Sequence, residues 1–173
     1  LGNVLGMTGV GLGIAATVGE MPNSLVPQFL ACSAVGGGAG YAIAQRVGVT
    51  ELPQTVAAFH SLVGVAAAAT AIGDYVAHLG DPGQLHHPWD GARATAVYLA
   101  TFIGSITATG SVVAFGKLQG LEGRIFESKA LALPGRDQIN MGLGAASLGA
   151  MGTFIGTDSA ALGGAALAVG TVS

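Results

Sequence analysis

The chain has 173 residues, of which 51% are hydrophobic and 9% charged, with a formal net charge of −3 and a mean hydropathy of +0.64. Soluble domains carry roughly 25% charged residues, so there is too little polar surface here to coat a soluble globule, and the charge gives no sign of a nucleic-acid partner. The single cysteine, Cys32, leaves neither a disulfide nor a thiolate metal cage available, and in its apolar run it reads as a small buried hydrophobe.

The few charges cluster between long uncharged stretches that approach the roughly 20 residues a helix needs to cross a bilayer. Strand alternation is absent, and a barrel would have to close on itself. The reading is therefore all-α: a polytopic transmembrane bundle of about six helices, close-packed through glycine.

The first helix is predicted over Gly2 to Val18, and Met21-Pro-Asn-Ser24 turns the chain into a second over Leu25 to Ala44. Arg46-Val-Gly-Val-Thr-Glu51 breaks the pattern before a third helix from Pro53 to Ala77. Proline suits that start, because the first turn has no use for its missing N–H. This third run holds His60, an ionisable group deep in apolar sequence, and such a placement is a functional hypothesis by default. Imidazole exchanges protons readily near neutral pH, so a proton step inside a membrane is the first expectation. The bland alternative is a neutral histidine bonded to a neighbouring helix. Asp74, near the far end of the same run, reads as a headgroup-level carboxylate, with a proton exit as its functional alternative.

Gly80 to Asp90 forms a linker in which Trp89 suits an interfacial anchor. His86 and His87, with Asp81 and Asp90, lack metal-ligand spacing and read as solvated loop, so no metal is expected. The fourth helix, Ala92 to Gly116, embeds Thr95, Thr101, Ser105, Thr107, Thr109 and Ser111 among small residues. Such hydroxyls often bond back to their own helix. Depth gives one of them a second reading: His60 lies about 10 Å of rise beyond Pro53, and Ser111 about 9 Å before Lys117, which sets both at one level if those ends share a side. A histidine and a serine sharing a hydrogen bond or an ordered water are the ingredients of a proton relay.

The charged segment Lys117 to Asp137 is too short for a domain and reads as a topology determinant, a docking surface, or both. A fifth helix follows over Gln138 to Ile155, then a sixth from Ser159 to the end, somewhat short for a span. Glycines recur at close-packing intervals in three runs: Gly2, Gly6, Gly9 and Gly13; Gly36 and Gly40; and Gly142, Gly149 and Gly156. The cluster around Gly9, Gly11 and Gly13 imitates a dinucleotide loop, but no strand precedes it and no acidic residue follows at the required distance. Arg46, Lys117, Arg124, Lys129 and Arg136 fall on one side of such a chain and only Arg93 on the other, so the first side is expected to be cytoplasmic, or matrix-facing in a mitochondrion. The opening on Leu1 and the short last run suggest a fragment of something larger.

Three runs carry a family resemblance: Val49 to Ala67, with Glu-Leu-Pro-Gln-Thr-Val-Ala-Ala-Phe-His at its centre; Thr109-Gly-Ser-Val-Val-Ala-Phe-Gly-Lys-Leu118; and Leu131-Ala-Leu-Pro-Gly-Arg-Asp-Gln-Ile-Asn140. In order and spacing the chain resembles the membrane domain of the proton-translocating nicotinamide nucleotide transhydrogenase, in its beta subunit. The resemblance implies that NADH reduces NADP in soluble domains outside the bilayer while protons move inward through this domain, in a bacterial inner membrane. His60 matches the family's membrane histidine implicated in proton transfer, Ser111 a serine of the facing helix, and Glu51 an acidic residue at the cytoplasmic mouth. The family's late Leu-Asn-Ser-Tyr-Ser-Gly helix has no counterpart in this sequence.

The resemblance also implies that this chain binds no cofactor itself, and that NAD and NADP sit in partner domains docking on loops that bear Lys117, Arg124, Lys129 and Arg136. Further membrane helices and a homodimeric assembly are implied with them. Two other classes stay in view. An ion-coupled secondary transporter would show internal repeats and helices broken at mid-membrane, and a purely structural membrane subunit would leave His60 without an explanation.

Overall fold

The computed structural model describes residues 2–78, 90–123, 125–127, 134–156 and 160–172. Six helices occur among them: α1 (Gly2–Glu20), α2 (Val26–Ala44), α3 (Leu52–His78), α4 (Asp90–Leu118), α5 (Arg136–Gly156) and α6 (Ala160–Val172). A 3-10 turn, Val49–Glu51, leads into α3. No strand occurs among the described residues, as the absence of alternation predicts.

Local chemistry explains where the elements begin and end. The turn between α1 and α2 is held by the Leu25 amide donating to the Pro22 carbonyl at 2.9 Å, and Pro27 stands in the first turn of α2, where no amide is needed. Helix α4 ends in a left-handed cap: Gly120, at φ 67°, donates to the Lys117 carbonyl while Leu121 donates to the Gly116 carbonyl. This double bond pattern satisfies carbonyls that the helix end would leave open. The loop then doubles back, with the amides of Phe126 and Glu127 both on the Gly123 carbonyl, and the Phe126 ring lies directly against Gly116.

Four of the helical stretches are long and apolar enough to cross a membrane: Gly2–Glu20, Val49–Ala77, Gly91–Leu118 and Arg136–Gly156. The other two fall short for different reasons. Helix α2 has 19 residues, with the polar Gln28 and the Pro27 of its first turn at one end, and α6 has only 13 residues.

The chain divides into two compact units, residues 1–48 and 49–173. In the first, α1 and α2 bury none of their residues. Helices that are apolar all round suit an apolar surrounding rather than water. In the second, α3 and α4 run antiparallel in backbone contact. A Cβ added at Gly64 would stand 2.5 Å from the Ala108 nitrogen and 2.6 Å from the Gly104 oxygen, and one at Gly104 would stand 2.8 Å from both the Ala68 nitrogen and the Gly64 oxygen. Only glycine permits this approach, and in lipid, where apolar burial drives no association, such close packing is what holds helices together. The glycine contact therefore falls at Gly64 and Gly104 rather than along the regular repeats, whose positions at Gly2 to Gly13, Gly36, Gly40, Gly142, Gly149 and Gly156 face open space within the described chain.

The core of the second unit gathers Ala71, Val97, Tyr98, Phe154, Ala166 and Leu167 from α3 to α6. Phe154 of α5 sits between Tyr75 and Tyr98, with ring centroids 5.4 and 5.9 Å away. Tyr98 is 1% exposed. Its hydroxyl donates to the Ser147 carbonyl of α5 at 2.7 Å, and its ring packs on Gly170 of α6. One aromatic side chain of α4 thus fixes two further helices.

Candidate functional site

The α3–α4 contact sets the geometry of the residues singled out from sequence. Because Gly64 meets Gly104 and Ala108, the antiparallel register carries His60, one turn earlier on α3, to the level of Ser111, about one turn later on α4. The two side chains are not bonded to each other. His60 is exposed and Ser111 half-buried, and among the described residues neither side chain makes a hydrogen bond.

The hydroxyls of α4 separate into two groups. Thr95 donates to the Gly91 carbonyl, Thr101 to Val97, Ser105 to Thr101 and Thr109 to Ser105, all within 2.6–2.9 Å. These four follow the usual back-bonding of hydroxyls in membrane helices. Thr107 and Ser111 do not, which leaves their hydroxyls available to another partner. Sequence alone could not sort the six, since the choice depends on rotamer and on the neighbouring helix.

Glu51 closes the 3-10 turn in front of α3, and its carbonyl accepts the Thr55 hydroxyl at 2.8 Å. Its carboxylate therefore belongs to the same helix end from which the depth of His60 is measured. Asp74 lies two turns past Ala67 toward the other end and is joined there by Arg93 of α4, a pairing that reading the two helices separately does not reveal. Arg93 donates through Nη2 to Oδ1 at 2.5 Å and through Nε to Oδ2 at 3.0 Å. The core residues Ala71, Val97 and Tyr98 lie beside this ion pair in sequence, whereas the His60 half of α3 has no buried residue before Gly64.

Among the loop cations, Lys117 stands in the last turn of α4, where it opposes the negative end of the helix dipole. Arg136 is the first residue of α5 and leans on Asp137 at 3.4 Å. Arg124, Lys129, Asp81, His86, His87 and Trp89 lie outside the described residues.

The family model for the NAD(P) transhydrogenase beta subunit matches residues 1–173. The chain belongs to that family. Two sequences from Rhodospirillum rubrum, each described as NAD(P) transhydrogenase subunit beta, are 40% identical to it over 124 residues. The match covers 69% of this chain and 26% of each relative, so the chain spans about a quarter of the length of these curated beta subunits. Within the beta-subunit family, then, this stretch supplies helices long and apolar enough to cross a membrane, and one of them carries His60.

Proposed function

We propose that this chain is part of the proton-conducting membrane domain of an NAD(P) transhydrogenase, in which hydride transfer from NADH to NADP is coupled to inward proton movement. His60 takes up and releases the proton, Ser111 is its hydrogen-bond partner directly or through one water, and Glu51 stands at the cytoplasmic mouth. The observation that carries the reading is the register of α3 and α4, fixed by glycine-to-backbone contact, which brings the histidine level with a hydroxyl that its own helix has left unbonded.

An imidazole exposed on the described helices would be costly against acyl chains, so a further helix of the complete subunit covers it. NAD and NADP are held by soluble domains, which dock on the loops bearing Lys117, Arg124, Lys129 and Arg136, and the assembly is a dimer in a bacterial inner membrane. Coupling needs only that the two protonation states of His60 favour different docking states, since a site indifferent to them transmits nothing. The transporter alternative expects helices broken at mid-membrane, whereas α3 and α4 run continuously for 27 and 29 residues.

The deciding experiment is His60→Ala in the assembled enzyme in sealed vesicles. Proton pumping driven by reverse transhydrogenation should be lost while the complex still assembles and binds NADP. Pumping at the wild-type ratio would refute the relay.

A further inference from the structure

Asp74 and Arg93 are 19 residues apart in sequence, yet they face each other across α3 and α4 with two parallel hydrogen bonds. The planar guanidinium fork fixes rotation as well as distance, which a lysine at the same place would not do. The side chains are 45% exposed for Arg93 and 37% for Asp74, and an exposed ion pair contributes little stability by itself. What it adds is geometry. Ala68 with Gly104 and Gly64 with Ala108 are neighbouring rungs of one antiparallel register, the Asp74–Arg93 fork ties the same two helices further along, beyond the level of Ala71 and Val97, and one turn before Gly64 the register brings His60 to the level of Ser111.

We propose that Asp74 and Arg93 are positioning residues for the His60–Ser111 pair. Their fork holds the far ends of α3 and α4 at one rotation and one axial register, and Asp74 carries no proton. This inference rests on the relay reading given above. It assigns a joint task to two residues that sequence treats separately, one as a possible proton exit and the other as a lone outer cation.

The test is a charge-exchange series in the assembled transhydrogenase in sealed vesicles, with proton flux normalised to assembled enzyme and the thermal midpoint read in parallel. Asp74→Asn and Arg93→Gln should each lower the flux about three- to tenfold, and the double exchange Asp74→Arg with Arg93→Asp should restore most of it, the non-additivity expected of directly coupled residues. Single variants that lower the midpoint but leave the normalised flux at the wild-type level would overturn the positioning role. So would an exchange variant with a restored midpoint and the flux of Asp74→Asn, because position 74 would then need its carboxylate for proton transfer. Should the exchange variant fail to assemble, Arg93→Lys decides: it keeps the charge without the fork, a reduced flux supports the proposal and an unchanged flux overturns it. His60→Ala that pumps like wild type removes the relay, whereas an unaffected Asp74 and Arg93 series beside an inactive His60→Ala removes only the positioning role of the Asp74–Arg93 fork.

Discussion

A hydroxyl inside a membrane helix either closes on its own backbone or reaches outward, and α4 contains both kinds within two turns. Ser105 is bonded at 2.7 Å to the Thr101 carbonyl, whereas Ser111 has no such bond. Removing Ser111 should therefore affect the chemistry more than removing Ser105. Ser111→Ala is expected to slow proton-coupled turnover about fivefold, the loss of one hydrogen bond of about 1 kcal/mol, and Ser105→Ala to leave it within about twofold. Turnover of the two variants in sealed vesicles checks the pair, and equal effects would mean that helix-bound and unbonded hydroxyls are not functionally distinct here. Tyr98 makes a separate residue-scale case. Tyr98→Phe keeps the ring on Gly170 but loses the hydroxyl bond to Ser147, so the thermal midpoint should fall by the equivalent of about 1 kcal/mol.

The contact between α3 and α4 turns a general preference for glycine into a specific requirement. A methyl at Gly64 or Gly104 would collide with backbone atoms of the facing helix, which cannot swing away, whereas a methyl at Gly116 would meet only the ring of Phe126. Overpacking costs about 1–3 kcal/mol, and alanine in place of a helical glycine returns up to about 1 kcal/mol of propensity. Gly64→Ala and Gly104→Ala should therefore destabilise the assembled subunit, while Gly116→Ala should lie near neutral because the ring can move. Thermal unfolding of the three variants in detergent gives the order, and a larger loss at Gly116 than at Gly64 would contradict it. The intervals of glycine in sequence suggested close packing but chose other positions, because a repeat along one helix does not show which face the neighbouring helix covers.

At the scale of the molecule, α4 offers the clearest test of topology. Gly91–Leu118 is 28 residues, about 42 Å of helix, which exceeds a hydrocarbon core of about 30 Å. In a Cys32→Ser background, Gly91→Cys should react with an impermeant thiol reagent from the outer side only and Gln119→Cys from the cytoplasmic side only. Labelling of both from one side would remove the spanning orientation and the shared depth of His60 and Ser111 with it. The six helices were legible because hydropathy is a property of each segment, and Met21–Ser24 and Pro53 mark ends through local chemistry, whereas the Gly120 cap that carries α4 on to Leu118 shows only in the structure. The Asp74–Arg93 pair was not legible, since its partners sit on different helices and each has an adequate reading alone. The level of His60 relative to Ser111 along the helix pair follows from distance to the helix ends, whereas the rotation that leaves the imidazole uncovered depends on helix packing. The doubled-back turn after α4 has a mechanical consequence. With Phe126 seated on Gly116 and Gly120 capping the last carbonyls, the described part of that turn is bonded to the helix end, and a load on Glu122 would act on the helix that carries Ser111 as a hand acts on a lever.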